Sequence, residues 1–219
     1  LVNGTAGYPD VGLLGMDEMA REAGYIANAV RVPCICDADT GFGETWQVMR
    51  TVRAYEREGL AGLHLEDQVM PKRCGHLDGK ALISTEEMER KIAAACEARQ
   101  DPDFMIIARC DARAVESFEQ SVERGQRYLA AGADAIFAEA MQSPEEFARY
   151  AEAVGGTLLA NMTEFGKSPY LTLDEFAAMG YSMVIFPMSA FRAMMKAVEG
   201  IFRELREKGT LEGALPRMQ

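Results

Sequence analysis

Six short apolar runs, each paired with a stretch of helical periodicity, set what this chain can become. The runs lie at 32–36, 61–68, 104–109, 135–140, 157–161 and 183–187. The helical stretches lie at 16–30, 45–58, 84–99, 117–131, from 143, at 173–179 and at 190–208. Runs of four to eight consecutive apolar residues are the pattern of strands covered on both faces. Alternation of such strands with helices builds a parallel sheet with crossover helices. The helix ends carry their own signals. Ser143 precedes Pro144 and two acids, a strong start, and Gly59, Gly132 and Gly180 follow helix ends.

Asp37, Glu66, Arg109, Glu139 and Asn161 stand at or just past the ends of five of these runs. In a (β/α)8 barrel, strand ends converge on one rim and the reactive groups sit there. The expected fold is therefore an α/β barrel of the TIM type. A doubly wound open sheet is the alternative, but it gathers ligand at one switch point. No Gly-x-Gly-x-x-Gly turn or phosphate loop is present. Six runs are visible where closure takes eight. Residues 1–219 thus read as one partial barrel domain, with two βα units expected before Leu1.

Net charge is −11, from 34 acids against 23 bases, which argues against a nucleic-acid surface. No apolar stretch approaches ~18 residues, so no membrane span is expected. The five cysteines are odd in number and irregularly spaced, which suits a reducing cytoplasm better than a disulfide framework. Cys34, Cys36 and Cys96 read as core thiols.

Asp37 and Asp39 open a glycine loop directly after the first strand. Two apart on an extended backbone, they would share a face, and paired carboxylates repel unless a cation or proton lies between them. Oxygen ligands suit Mg2+ or Mn2+, and Glu66 on the next strand would join them. The bland alternative is a solvated acidic turn. Arg109 offers a fork for a substrate carboxylate, or an ion pair with Glu139 or Glu66. Cys74, in Lys72-Arg73-Cys74-Gly75-His76, is flanked by cations that favour the thiolate, in a loop with the look of a mobile lid. Its alternative is an incidental surface cysteine. His64 reads as a satisfied core histidine, and Met183, Met188, Met194 and Met195 as packing.

Asp37-Ala38-Asp39-Thr40-Gly41-Phe42-Gly43, His64-Leu65-Glu66-Asp67-Gln68 and the Cys74 loop resemble the isocitrate lyase/phosphoenolpyruvate mutase superfamily. Ile107-Ala108-Arg109-Cys110-Asp111-Ala112 and the stretch 159–166 extend the resemblance over essentially the whole chain. It implies an α/β barrel, bound Mg2+ and action on small α-oxo or α-hydroxy carboxylates. It implies that Asp37 and Asp39 hold the ion, directly or through water, with Glu66 and Asp10 in support. Cys74 would be the acid/base and Gly75 would line the substrate site. Arg109, Glu139, Asn161, Thr163 and Arg192 would contact substrate.

Thr163-Glu164-Phe165-Gly166 and Ser189-Ala190-Phe191-Arg192-Ala193-Met194 look most like the 2-methylisocitrate lyase branch. That implies cleavage of 2-methylisocitrate to pyruvate and succinate, with Glu139 as candidate base. The stretch 64–91 also resembles carboxyvinyl-carboxyphosphonate phosphorylmutase, and relatives that cleave oxaloacetate or 2,3-dimethylmalate share the Cys loop. Members of this superfamily are usually homotetramers, with a Ser-Gly substrate loop that would fall before Leu1 and exchanged helices that would follow Gln219. A non-catalytic barrel serving as a binding or assembly subunit is the alternative from outside the enzymes.

Overall fold

The computed structural model describes residue 4, residues 6–75, residue 77 and residues 79–218. His76, which the sequence puts beside Cys74, lies outside the described residues. The elements in chain order begin with α1 (Met16–Ala29), β1 (Ile35–Asp37), α2 (Thr45–Arg57), β2 (Gly62–Glu66) and α3 (Thr85–Ala98). They continue with β3 (Met105–Cys110), the short α4 (Ala112–Val115), α5 (Phe118–Ala130), β4 (Ala135–Ala138) and α6 (Pro144–Val154). Then come β5 (Thr157–Asn161), α7 (Leu173–Ala178), β6 (Met183–Ile185), α8 (Ser189–Lys208) and a 3-10 turn (Glu212–Arg217).

The six strands form one sheet in the order β1-β2-β3-β4-β5-β6. Every neighbouring pair is parallel. Chain order and strand order coincide, so no reversal creates a switch point, and the doubly wound alternative is excluded. The fold is the α/β, TIM-type arrangement, six strands of it in sequence.

Period-two alternation sorts each strand into two faces. One face carries Leu63, Leu65, Ile106, Ala108, Cys110, Ile136, Leu158 and Ala160, which pack with the buried sides of the helices into the main core. The other carries Ile107, Ala135, Phe137 and Leu159, with Ile35, Met105, Met183 and Ile185 against them, as a smaller inner cluster. Burying an Ile, Leu or Phe side chain contributes about 1.5–3 kcal/mol, so this inner floor is itself stabilising. Continue the inner face by two residues and it reaches Asp37, Glu66, Arg109, Glu139 and Asn161. The alternation that builds the inner cluster also aims the polar strand ends at one another.

The observed elements differ from expectation in places. The first strand is only Ile35–Asp37; Val32 is exposed, and Pro33 has no N–H to give to a ladder. Cys34, Cys36 and Cys96 are half-buried, packed at the edge of the main core, whereas Cys110 is fully enclosed. The methionine reading fails for Met194 and Met195 on α8, which are about half exposed (49% and 50%).

Candidate active site

The acidic loop after β1 is fastened by three hydrogen bonds from two helices. Tyr55 of α2 donates to the Asp37 carbonyl at 2.8 Å, Thr51 to the Gly41 carbonyl at 3.3 Å, and Lys91 of α3 to the Thr40 carbonyl at 3.2 Å. Asp39 does not continue the extended strand: its φ is 45°, and its N–H donates to Asp37 Oδ1 at 2.8 Å. Asp37 and Asp39 are brought together by a left-handed turn, and not by strand alternation as expected.

A cation does lie against this loop, between Asp39 and Asp10, and it is a side chain of the protein itself. Lys72 Nζ lies 2.6 Å from Asp10 Oδ1 and 2.8 Å from Asp39 Oδ1, and the lysine is 2% exposed. Burial disfavours its charge, but Asp37, Glu66, Asp39 and Asp10 outweigh that and raise its pKa. Lys72 thus turns into the acidic loop, and does not serve Cys74 as a flanking cation. Burial also opposes ionisation of Asp37. His64, Lys72 and Arg109 more than offset it and hold the carboxyl at about 2. Asp39 is pushed up, by burial first and by the charge of Asp37 second.

Glu66 and Arg109 are register partners on β2 and β3. Arg109 is the hub of the site. Its Nε donates to Asp111 Oδ2 at 2.9 Å and its Nη2 to Asp111 Oδ1 at 3.3 Å. Its Nη1 is 3.2 Å from Glu66 Oε2, and its Nη2 is 3.7 Å from Glu139 Oε2. The guanidinium stands over the Phe137 ring at 5.2 Å. The ion-pair reading of Arg109 therefore holds, with Glu66 and Glu139 both as partners and Asp111 added to them. Glu139 Oε1 accepts from the Ala140 N–H at 3.0 Å, and Asn161 Nδ2 lies 3.3 Å from Glu139 Oε2.

His64 is buried as expected but not satisfied: its Nδ1 has no hydrogen bond, with Asp37 Oδ1 3.6 Å away. Burial lowers its pKa.

The Cys74 loop lies against this cluster. A Cβ added at Gly75 would stand 2.5 Å from Arg109 Nη2 and 2.6 Å from Glu139 Cδ. Lys80 Nζ donates to the Gly75 carbonyl and, at 2.7 Å, to Asp111 Oδ1. Cys74 itself is half-buried. Thr163 and Arg192 form a second group, two residues past Asn161. Arg192 Nη1 is 3.4 Å from Thr163 Oγ1 but binds Glu164 more closely, at 2.6 Å to its carbonyl and 2.8 Å to Oε2. Ser189 also donates to the Glu164 carboxylate.

Asp111 and Lys80 are site residues that strand-end reasoning passed over. Asp111 had a signal, since it follows Arg109 by two and so shares its face. Lys80 had none, because only the path of the loop brings it to Asp111.

Among the described residues, no three His, Cys, Asp or Glu side chains converge in metal-ligand geometry. The donor set nevertheless suits a hard divalent ion. Glu66 is fully buried, and neither of its carboxylate oxygens makes a hydrogen bond. Burial pushes its pKa well up, a state that a cation would relieve. Asp39 and Asp10 supply further carboxylate oxygens around Lys72, with Asp37 tied to the Asp39 N–H beside them, and the ammonium already marks the spot as cation-seeking.

Residues 2–206 match the family model described as phosphoenolpyruvate phosphomutase. The chain belongs to the phosphoenolpyruvate mutase/isocitrate lyase superfamily. It is 55% identical to the 2-methylisocitrate lyase of Aeropyrum pernix over 99% of this chain and 70% of that protein. Among solved structures it resembles oxaloacetate acetylhydrolase in complex with the inhibitor 3,3-difluorooxalacetate, with a TM-score of 0.92 and 36% identity over 96% of this chain and 73% of the other. It also resembles phosphonopyruvate hydrolase in complex with oxalate and Mg++, with a TM-score of 0.88 and 32% identity over 100% of this chain and 76% of the other. Asp37, Glu66, Arg109 and Asn161, each from a different one of the motifs that carried the resemblance in sequence, stand at the strand ends.

Proposed function

We propose that this protein is a Mg2+-dependent carbon–carbon lyase that cleaves 2-methylisocitrate to pyruvate and succinate. The observation that carries the reading is the seating of Gly75 against Arg109 and Glu139, which brings the thiol loop to the carboxylate-and-arginine cluster. The 55% identity to a 2-methylisocitrate lyase supports the choice of substrate.

Asp37, Asp39, Glu66 and Asp10 would hold the ion once Lys72 yields its place. A bound Mg2+ supplies Lewis-acid polarisation of the oxygen at the cleaved carbon. Arg109 stays charged in this acidic surround, because burial is outweighed by Asp111, Glu66 and Glu139. It orients a substrate carboxylate by charge-assisted hydrogen bonds. Glu139 takes the hydroxyl proton. The C–C bond then breaks to leave the keto carbon of pyruvate, and the bonding pair departs with the succinate fragment. Cys74 delivers a proton to that carbanion. Asn161 and Gly75 line the space, and Thr163 and Arg192 meet a remote carboxylate of the substrate.

We read the protein as cytoplasmic, an inference supported by its five free cysteines. No helix among the described residues is long and apolar enough to cross a membrane. A homo-oligomer is supported by the exposed apolar side chains of α8, Met194, Met195 and Phe202 among them. Residues 1–219 are read as part of one barrel domain. The test is a panel of 2-methylisocitrate, 2,3-dimethylmalate, oxaloacetate and phosphonopyruvate with Mg2+. Pyruvate and succinate formed preferentially from 2-methylisocitrate would support the reading. Preference for another member would reassign the substrate, and no turnover of any would favour the non-catalytic alternative.

A further inference from the structure

Gln68 is 1% exposed, sits just past β2, and takes no part in the chemistry above. Its carboxamide makes two hydrogen bonds, both to one residue. The Arg73 N–H donates to Gln68 Oε1 at 2.9 Å, and Gln68 Nε2 donates to the Arg73 carbonyl at 2.9 Å. A side-chain amide here occupies the place of a neighbouring strand. It pins both peptide groups of the residue immediately before Cys74.

The brace is tied to the far end of its own loop and, through the Asp67 N–H that donates to the Arg109 carbonyl at 3.3 Å, to β3. The Gln68 backbone is bridged to Leu82, Val69 N–H donates to the Ala81 carbonyl at 2.8 Å, and Ile83 N–H to the Asp67 carbonyl at 3.0 Å. Asp67 is held in turn by Tyr128 at 2.8 Å and Arg124 at 3.3 Å. On the far side of Cys74, Lys80 holds the Gly75 carbonyl. Cys74 is therefore bracketed, with one fixed peptide before it and one after. Its Cα is one trans peptide, ~3.8 Å, from the Cα that Gln68 fixes.

We propose that Gln68 is a positioning residue whose carboxamide sets the pose of Cys74 at the strand-end cluster. The proposal rests on the reading of Cys74 as the group that delivers the proton. A catalytic group misplaced by ~1 Å loses on the order of 10²-fold in rate. An amide that merely satisfied the loop would change stability without changing the thiol.

The test compares the full chain with Gln68→Leu, which keeps the volume and removes both hydrogen bonds, and with Gln68→Ala. Alkylation of Cys74 by iodoacetamide is followed by peptide mass spectrometry, alongside steady-state cleavage of 2-methylisocitrate and a thermal melt. In cooperatively melting variants, we expect Cys74 alkylation to rise at least ~10-fold as the loop lifts, and kcat to fall ~10- to 100-fold with KM within about threefold. Alkylation within about twofold of the unaltered protein would overturn the proposal, as would loss of cooperative melting in both variants, which would make Gln68 a folding residue. If the unaltered protein fails to turn over 2-methylisocitrate, the functional reading falls, while the alkylation comparison still decides the brace.

Discussion

Gly75→Ala tests the seating of the thiol loop with the smallest perturbation available, one methyl group. That methyl would stand 2.5 Å from Arg109 Nη2 and 2.6 Å from Glu139 Cδ. Ordinary contacts between such atoms lie at about 3.5–4.0 Å, so the overlap is roughly 1 Å with each. Neither neighbour can retreat easily. Arg109 is bonded to Asp111 and paired with Glu66, and Glu139 is 1% exposed. Over-packing of this kind costs about 1–3 kcal/mol. The loop yields instead, because Arg73, Leu77 and Gly79 around it are already exposed. The seated population then falls roughly 5- to 150-fold, at 1.4 kcal/mol per factor of ten. We expect kcat/KM for 2-methylisocitrate to drop by that factor, with the thermal midpoint shifted by no more than a few degrees. A kcat/KM within twofold of the unaltered enzyme would refute the seated geometry as the reactive one. A large fall in the melting midpoint would show that the loop is part of the core.

Cys74→Ser should lower kcat by at least ~10²-fold, the usual worth of a positioned proton donor, while Mg2+ affinity measured by calorimetry stays unchanged. Activity within a few-fold of the unaltered enzyme would remove Cys74 from the mechanism. Asp67, fully buried, is pushed from 3.8 up to about 6 by burial and by Asp111. Folding therefore takes up a proton between those values, and the stabilisation is complete below pH ~4 and lost as pH rises through ~6. At 1.36 kcal/mol per pH unit, the unfolding free energy of the natural chain should fall by about 3 kcal/mol relative to Asp67→Asn between pH 3 and 7. Parallel pH curves for the two in denaturant melts would contradict the shift.

The sheet was legible because its causes are local. Strand alternation, caps and the glycines after helices fix element types, and the inward face follows from counting by two. Asp37, Glu66, Arg109, Glu139 and Asn161 could therefore be placed on one rim from sequence. What escaped depends on groups far apart in the chain. Lys72 reads as a partner of the nearby Cys74, yet its ammonium is drawn to Asp10 and Asp39, because a buried cation needs more than one counter-charge. Lys80 reaches Asp111 across 31 residues. Asp39 reads as extended, yet it turns left-handed to offer its N–H to Asp37. The exposed Met194 and Met195 show the limit of composition: a methionine stripe announces apolar surface, but not what covers it.

Titration of the protein with pyruvate, with Mg2+ present and again in excess chelator, probes the strand-end cluster most directly. One saturable site with Mg2+, lost in chelator and lost in Arg109→Met, is the expected result. Pyruvate binding that ignores both the ion and Arg109, or no binding in either condition, would contradict the assignment of these side chains to one carboxylate-and-metal site.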